Sequence, residues 1–180
     1  MPETIPYEQQ LISDCQKGDR RAQKQLYETY SGKMMSVCLR YCKDRETARD
    51  LLHDGFLKVY SHIHDFESKG SFEGWIRRIM VNTALEHIRK QNEEGHSLDI
   101  EEAYALTNGD YGILEKLQAD ELIKLIQKLP DTYRTVFNLF VVEGYSHREI
   151  SEEMRITESS SRVYLTRAKQ SLQEMLAVFK

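Results

Sequence analysis

From Tyr7 onward, apolar residues recur at helical spacing in short runs punctuated by Gly, Asp, Ser and Pro. Leu11, Ile12 and Cys15 mark the inner face of a first helix that Gly18 ends, and Asp19 caps a second carrying Ala22, Leu26, Tyr27 and Tyr30. A third holds Met34, Val37, Cys38, Tyr41 and Cys42. Asp44 caps a fourth, whose stripe of Ala48, Leu51, Leu52, Phe56, Val59 and Tyr60 leaves Arg49, Asp50, His53, Asp54 and Lys58 outside. After the polar loop Glu67-Ser68-Lys69-Gly70-Ser71, Ser71 caps a long helix combining Phe72, Trp75, Ile76, Ile79, Met80 and Ile88 with Arg77, Arg78, Arg89 and Lys90. The pattern then lapses. Residues 93–116 contain Gly95, Gly109 and Gly112 and show no stripe before Leu114, so they read as a linker. It resumes with Leu117, Leu122, Leu125, Ile126 and Leu129; Pro130 stops that helix or opens the next, which carries Val136, Phe137, Phe140 and Val141. The expectation is an all-α chain of two small helical domains, 7–92 and 117–180, joined by a flexible acidic linker.

The segment from Gly144 to Lys169 has the punctuation of two helices joined by a tight turn. Gly144 suits a position past a helix end, and Ser146 with Glu149 three residues later forms a capping box. Ile150 and Met154 give the inner face of the first helix, and Thr157 followed by Glu158 provides a second N-cap with an acid in the first turn. Ser161, Leu165, Ala168, Leu172 and Leu176 then form one buried stripe. Opposite it stand Ser159, Ser160, Val163, Thr166 and Arg167, flanked by Arg162 and Lys169: small residues, hydroxyls and guanidinium groups suited to a DNA major groove. A plain helical hairpin would show similar caps and stripe. The turn position where many such motifs place Gly is Arg155, so the turn either avoids positive φ or carries strain.

Charge sharpens this picture. The chain has 180 residues and a net charge of −4, unfavourable for a nucleic-acid binder until it is located. Seven acids and no Lys or Arg lie between Glu93 and Glu115; setting them aside leaves 25 basic and 22 acidic residues, a net of +3. From Lys69 to Lys90 there are five basic residues against two acidic ones, interleaved with Phe72 and Trp75. Rings to stack on unpaired bases and cations to hold phosphates are what single-stranded nucleic acid requires, although a lone helical Trp is commonly core. Three cysteines, an odd number, agree with a reducing compartment; Cys38 and Cys42 share a helix face and read as buried. The start MPETIPYEQQ lacks the order of a secretory signal and no apolar run is long enough to span a membrane, so a cytoplasmic location is expected. His62, His64 and Asp65 resemble a fragment of a metal site but lack further ligands in register; no metal and no cofactor is expected.

Taken together, the two halves resemble a bacterial RNA polymerase sigma factor of the sigma-70 family, in its compact extracytoplasmic-function (ECF) group. ARDLLHDGFLKVY (48–60) is similar to the family's polymerase-binding helix, and FESKGSFEGWIRRIMVNTALEHIRK (66–90) to its −10 recognition and melting region. LPDTYRTVFNLFVVEGYSHREISEEM (129–154) is similar to the start of its domain 4, and ITESSSRVYLTRAKQSL (156–172) to its −35 recognition helix. The resemblance implies that Asp50, Leu51, His53, Asp54 and Phe56 grip the β′ clamp helices of core RNA polymerase, with the β flap as a second contact. It implies that Lys69, Phe72, Trp75, Arg77, Arg78, Asn82, Arg89 and Lys90 engage the −10 element, the loop from Lys69 to Phe72 holding a flipped base. Ser159, Ser160, Arg162, Thr166, Arg167 and Lys169 would read and clamp the −35 element of promoter DNA. The acidic linker would thread toward the RNA exit path, and an anti-sigma factor would mask these surfaces until a signal arrives. Ser159-Ser160-Ser161 stands where many members carry Gly-Thr-Val, Tyr164 where a basic residue is frequent, and Glu86 where Asp is usual; hydroxyls specify bases weakly.

No nucleophile with a base, phosphate loop or metal cage suggests that the chain is an enzyme. Two other readings predict different behaviour. A stand-alone helix-turn-helix regulator would bind an operator without polymerase, usually as a dimer, and a helical hydrolase built on His62, His64 and Asp65 would retain metal on purification.

Overall fold

The computed structural model describes residues 7–93 and 119–177, and every regular element among them is helical. The linker expected at 93–116 lies outside the described residues apart from its first, Glu93. The chain divides into two compact units, Met1–Cys38 with Glu46–Ala84 and Leu39–Arg45 with Leu85–Lys180.

Helix α1 (Tyr7–Gln16) buries Leu11, Ile12 and Cys15 and ends at Gly18, whose φ of 80° is the left-handed conformation a stop requires. The Asp19 carboxylate accepts from the Arg21 and Ala22 amides at 2.7 and 3.3 Å, starting α2 (Arg20–Tyr41). The sequence suggests two helices here; the chain forms one. Tyr30, Met34, Val37 and Cys38 continue a single buried stripe, and Gly32, which costs about 1 kcal/mol in a helix interior, is too weak a breaker to interrupt it. Helix α3 (Arg45–His62) runs into a 3₁₀ turn at Ile63–Asp65, whose first carbonyl accepts from the Gln16 side chain at 3.0 Å. Tyr30 donates to Glu8 at 2.6 Å and Tyr60 to the Gln23 carbonyl at 2.9 Å; burial pushes the Tyr60 phenol up to about 12. Helix α4 (Phe72–Glu93) crosses α3 where Gly55 is buried: a Cβ there would overlap Met80 Sδ and lie 2.9 Å from its Cε. All three cysteines are buried and reduced, and burial raises the Cys15 thiol to about 11.

In the C-terminal segment, α5 (Ala119–Gln127), α6 (Asp131–Phe137), α7 (His147–Met154) and α8 (Glu158–Ala177) surround Ile126, Leu129, Val136, Leu139, Ile150, Ala168 and Leu172. Pro130 occupies the N-cap of α6. Arg134, 2% exposed, donates to the carbonyls of Gln127 and Leu129 at 3.1 and 3.0 Å, satisfying acceptors that the end of α5 leaves open. Helix α6 continues into a π turn, Asn138–Val142, which hydrophobic spacing alone does not reveal.

The helix-turn-helix is capped as its sequence indicates. Ser146 Oγ accepts from the Glu149 amide at 3.2 Å, and the Glu149 carboxylate accepts from the Ser146 amide at 2.8 Å. Thr157 Oγ1 accepts from the Ser160 amide at 3.1 Å. Arg155 takes the left-handed conformation (φ 54°, ψ 44°), so the turn carries the strain that glycine would avoid. His147, stacked on Phe140 at 4.5 Å, places Nδ1 2.8 Å from the hydroxyl of the fully buried Ser161, tying the start of α7 to α8.

Three stability measurements follow. Gly55→Ala should destabilise the protein by about 1–3 kcal/mol in urea titrations, because Met80 is fully buried and its thioether must be displaced. Arg155→Gly should stabilise the C-terminal helices by up to about 1 kcal/mol, since an L-residue in this conformation costs about 1–2 kcal/mol and the guanidinium is exposed. Burial lowers the pKa of His147 below its ordinary 6.5, assisted by the nearby Arg162 and Lys169 charges and opposed by Glu158. A lowered folded-state value means the unfolded chain takes up the proton first. The His147 contribution is therefore complete above about pH 6.5 and is lost as pH falls through the lower folded value. Amide exchange of α7 and α8 should accelerate over that interval, and His147→Gln should flatten the response.

Candidate nucleic-acid interface

Three helices present outward faces whose composition follows from what their opposite faces bury. On α4, Ser71 Oγ accepts from the Gly74 amide at 3.0 Å, capping the helix, and the loop before it turns through positive φ at Ser68 (58°) and Gly70 (90°). Lys69 is exposed on this loop, paired with Glu67 at 2.5 Å. Because four residues nearly complete a turn, Arg78, Asn82, Glu86 and Lys90 form one exposed ridge, with Glu86 interrupting its positive character. Half-buried Arg89 borders the ridge; Arg77 is also half-buried, about 100° round the helix from Arg78.

Phe72 does not belong to that surface. It is 1% exposed, with its ring 5.0 Å from Phe66, 5.7 Å from Trp75 in a stacked arrangement and 5.7 Å from Tyr30. Its ring packs on the core side of α4. Trp75 and Phe66 are both half-buried with their rings 5.5 Å apart, and Trp75 stands about one turn before Arg78 of the ridge.

Burial divides the named residues of α3 in the same way. Asp50, His53 and Asp54 are exposed, but Leu51 and Phe56 are 3% and 2% exposed, and Phe56 lies 4.7 Å from the Tyr27 ring. They turn inward with Ala48, Leu52 and Val59. Leu57, 54% exposed, completes the outer line of Asp50, His53 and Asp54. The spacing 50, 53, 54, 57 is itself a helical face, so this residue was readable once the inward stripe was set aside.

On α8, Ser159 and Arg162 are exposed and Ser160, Thr166, Arg167 and Lys169 are half-buried. Several already have partners. The Thr157 hydroxyl lies 2.9 and 2.8 Å from those of Ser159 and Ser160, Arg162 pairs with Glu158 at 3.0 Å, and Thr166 donates to the Arg162 carbonyl at 3.0 Å. Arg167 donates to the Tyr133 hydroxyl at 3.0 Å, beside a Tyr133–Tyr164 ring pair at 5.7 Å, and the Lys169 ammonium stands 6.0 Å from the Phe140 ring centre. Val163, 45% exposed, lies on the same outward surface.

His62 and Asp65 pair with each other at 2.9 Å, and His64 is exposed. Among the described residues, no group of three or more His, Cys, Asp or Glu side chains is placed to hold a metal, and no helix is long and apolar enough to cross a membrane.

Comparison with known proteins places the chain in a family. Residues 26–94 match the model of Sigma-70 region 2 and residues 119–172 that of Sigma-70, region 4, spans that together exceed half of the chain. The RNA polymerase sigma-H factor of Pseudomonas aeruginosa is 28% identical, over 96% of this chain and 95% of its own. The ECF RNA polymerase sigma factor SigW of Bacillus subtilis is 29% identical, over 92% and 94%. In fold, the chain is similar to the sigma factor RpoE of Bartonella quintana, solved in complex with the anti-sigma factor NepR, with 21% identity, a TM-score of 0.51 and coverage of 87% of this chain and 98% of that one. With both region models matched in order and relatives aligned along nearly their whole length, the chain belongs to the sigma-70 family, in its ECF group.

Proposed function

We propose that this chain is a bacterial alternative sigma factor that binds core RNA polymerase, directs it to a subset of promoters and promotes DNA melting at initiation. The observation that carries the reading is one chain bearing both a basic ridge beside an accessible tryptophan on α4 and a capped helix-turn-helix with an outward polar face on α8. The first suits unpaired bases and phosphates; the second suits a major groove. We assign residues 7–92 to polymerase binding and the −10 element, 93–116 to the acidic connection and 117–180 to the −35 element. Asp50, His53, Asp54 and Leu57 meet the β′ clamp helices, while Leu51 and Phe56 hold their helix in place. Lys69, Trp75, Arg78, Asn82, Arg89 and Lys90 engage the −10 strand, Arg77 adds positive charge, and Phe72 supports Trp75. Ser159, Ser160, Arg162, Thr166, Arg167 and Lys169 serve the −35 side. The β flap and an anti-sigma factor are further partners, and the protein works in the cytoplasm.

Melting in this reading is differential binding, with no bond made or broken by the factor: the single-stranded form gains a stacking partner and phosphate contacts that the duplex lacks. Catalysis belongs to the polymerase. Reconstitution with cognate core polymerase should give run-off transcripts that depend on this protein and start at a defined position. Trp75→Ala should reduce open-complex formation, followed by permanganate reactivity, about tenfold while leaving affinity for core polymerase unchanged. Equal loss of both would refute this division of labour, and an operator shift by the chain alone without core binding would favour a stand-alone regulator.

A further inference from the structure

The buried line of α8, Ser161, Leu165, Ala168, Leu172 and Leu176, fixes the direction of every other side chain on that helix. At about 100° per residue, Val163 points almost directly away from that line. Ser159 precedes it by one turn, and Thr166 and Arg167 follow it by one turn. Val163 is therefore the centre of the outward face, and at 45% exposure it is a large apolar side chain left uncovered there.

Its polar neighbours are differently placed. The Ser159 and Ser160 hydroxyls are engaged with Thr157, the Thr166 hydroxyl proton goes to the Arg162 carbonyl, Arg162 is paired with Glu158, and Arg167 is held by Tyr133. A guanidinium carries more donors than one pairing uses and a hydroxyl can take a further partner, so these groups offer adaptable polar contacts. Val163 offers a fixed apolar one. Its β-branched side chain is nearly confined to one rotamer in a helix, so its two methyl groups stand at a set position before any partner arrives. The side chain is too short to follow phosphates at the groove rim, and it has no hydrogen-bonding atom. The apolar feature that a major groove offers is the C5-methyl group of thymine.

We propose that Val163 is a specificity-determining residue of the recognition helix and reads the C5-methyl group of a thymine, on either strand, in the −35 element. This rests on the sigma-factor reading and deepens it. Discrimination at the centre of the element then comes from methyl contact, while the hydroxyl and guanidinium groups around it supply polar contacts, attraction and orientation.

The test uses holoenzyme assembled from core RNA polymerase and the full chain, on a promoter fragment from which it transcribes. Each thymine of the −35 element, on both strands, is replaced singly by deoxyuracil, which lacks only the methyl group. With the unaltered protein, one replacement should weaken promoter binding about three- to fivefold, the scale of one buried methyl group. Val163→Ala should weaken binding to the thymine-containing fragment by a similar factor and respond no further to that deoxyuracil. Its affinity for core polymerase and its helical circular dichroism should be unchanged. The proposal is overturned if no deoxyuracil replacement weakens binding, if Val163→Ala retains full sensitivity to the same replacement, or if the variant loses core binding. Absence of any promoter-dependent transcript with the unaltered protein overturns the parent reading, and this proposal with it.

Discussion

Along α8, Ser161, Leu165, Ala168, Leu172 and Leu176 are buried in one line, and the presentation of the recognition face depends on that burial. A helix is a rigid cylinder, so committing one stripe to a core sets the azimuth of every remaining side chain. The α6–α7–α8 packing around Val136, Leu139 and Ile150 gives α8 its seat, and the His147–Ser161 hydrogen bond and the His147–Phe140 stack lock the start of α7 against it. Were that stripe rotated by a single residue, Val163 would move away from the centre of the outward surface.

The same constraint separates supports from surfaces in the N-terminal helices. Phe72, Leu51 and Phe56 lie within stretches whose resemblance to functional regions is clear, yet their side chains are packed. Phe72 backs Trp75 through a stacked pair, and Phe56 packs against Tyr27 beneath the outer face of α3. A large apolar residue inside a binding motif is as often the floor of the site as its contact. Gly55 has an analogous role, because its missing side chain leaves room for Met80 where α3 and α4 cross.

Local hydrogen bonding supplies the remaining definition. The reciprocal Ser146–Glu149 cap and the Thr157 cap satisfy amides at the two helix starts that form the helix-turn-helix. Bonding to Ser146 also holds the Glu149 carboxyl below its ordinary range, so the cap is charged at neutral pH. Arg155 retains a left-handed backbone despite its Cβ, which shows that the surrounding helices impose the turn more strongly than the residue resists it.

The sequence alone determined the helical class, the two groups of helices, the caps at Asp19, Ser71, Ser146 and Thr157, and the family through the order of its motifs. These are legible because caps and apolar stripes are local: the residues that carry them lie within one or two turns of one another. Tertiary structure alone decided that residues 20–41 form one helix, that 138–142 is a π turn, and that the Phe72 side chain at the start of α4 is buried. A Gly in mid-helix or a Phe at a helix start is compatible with either outcome by itself. Which one prevails depends on burial against residues far away in the chain, and periodicity states that a stripe exists without stating how wide the neighbouring helices will cover it.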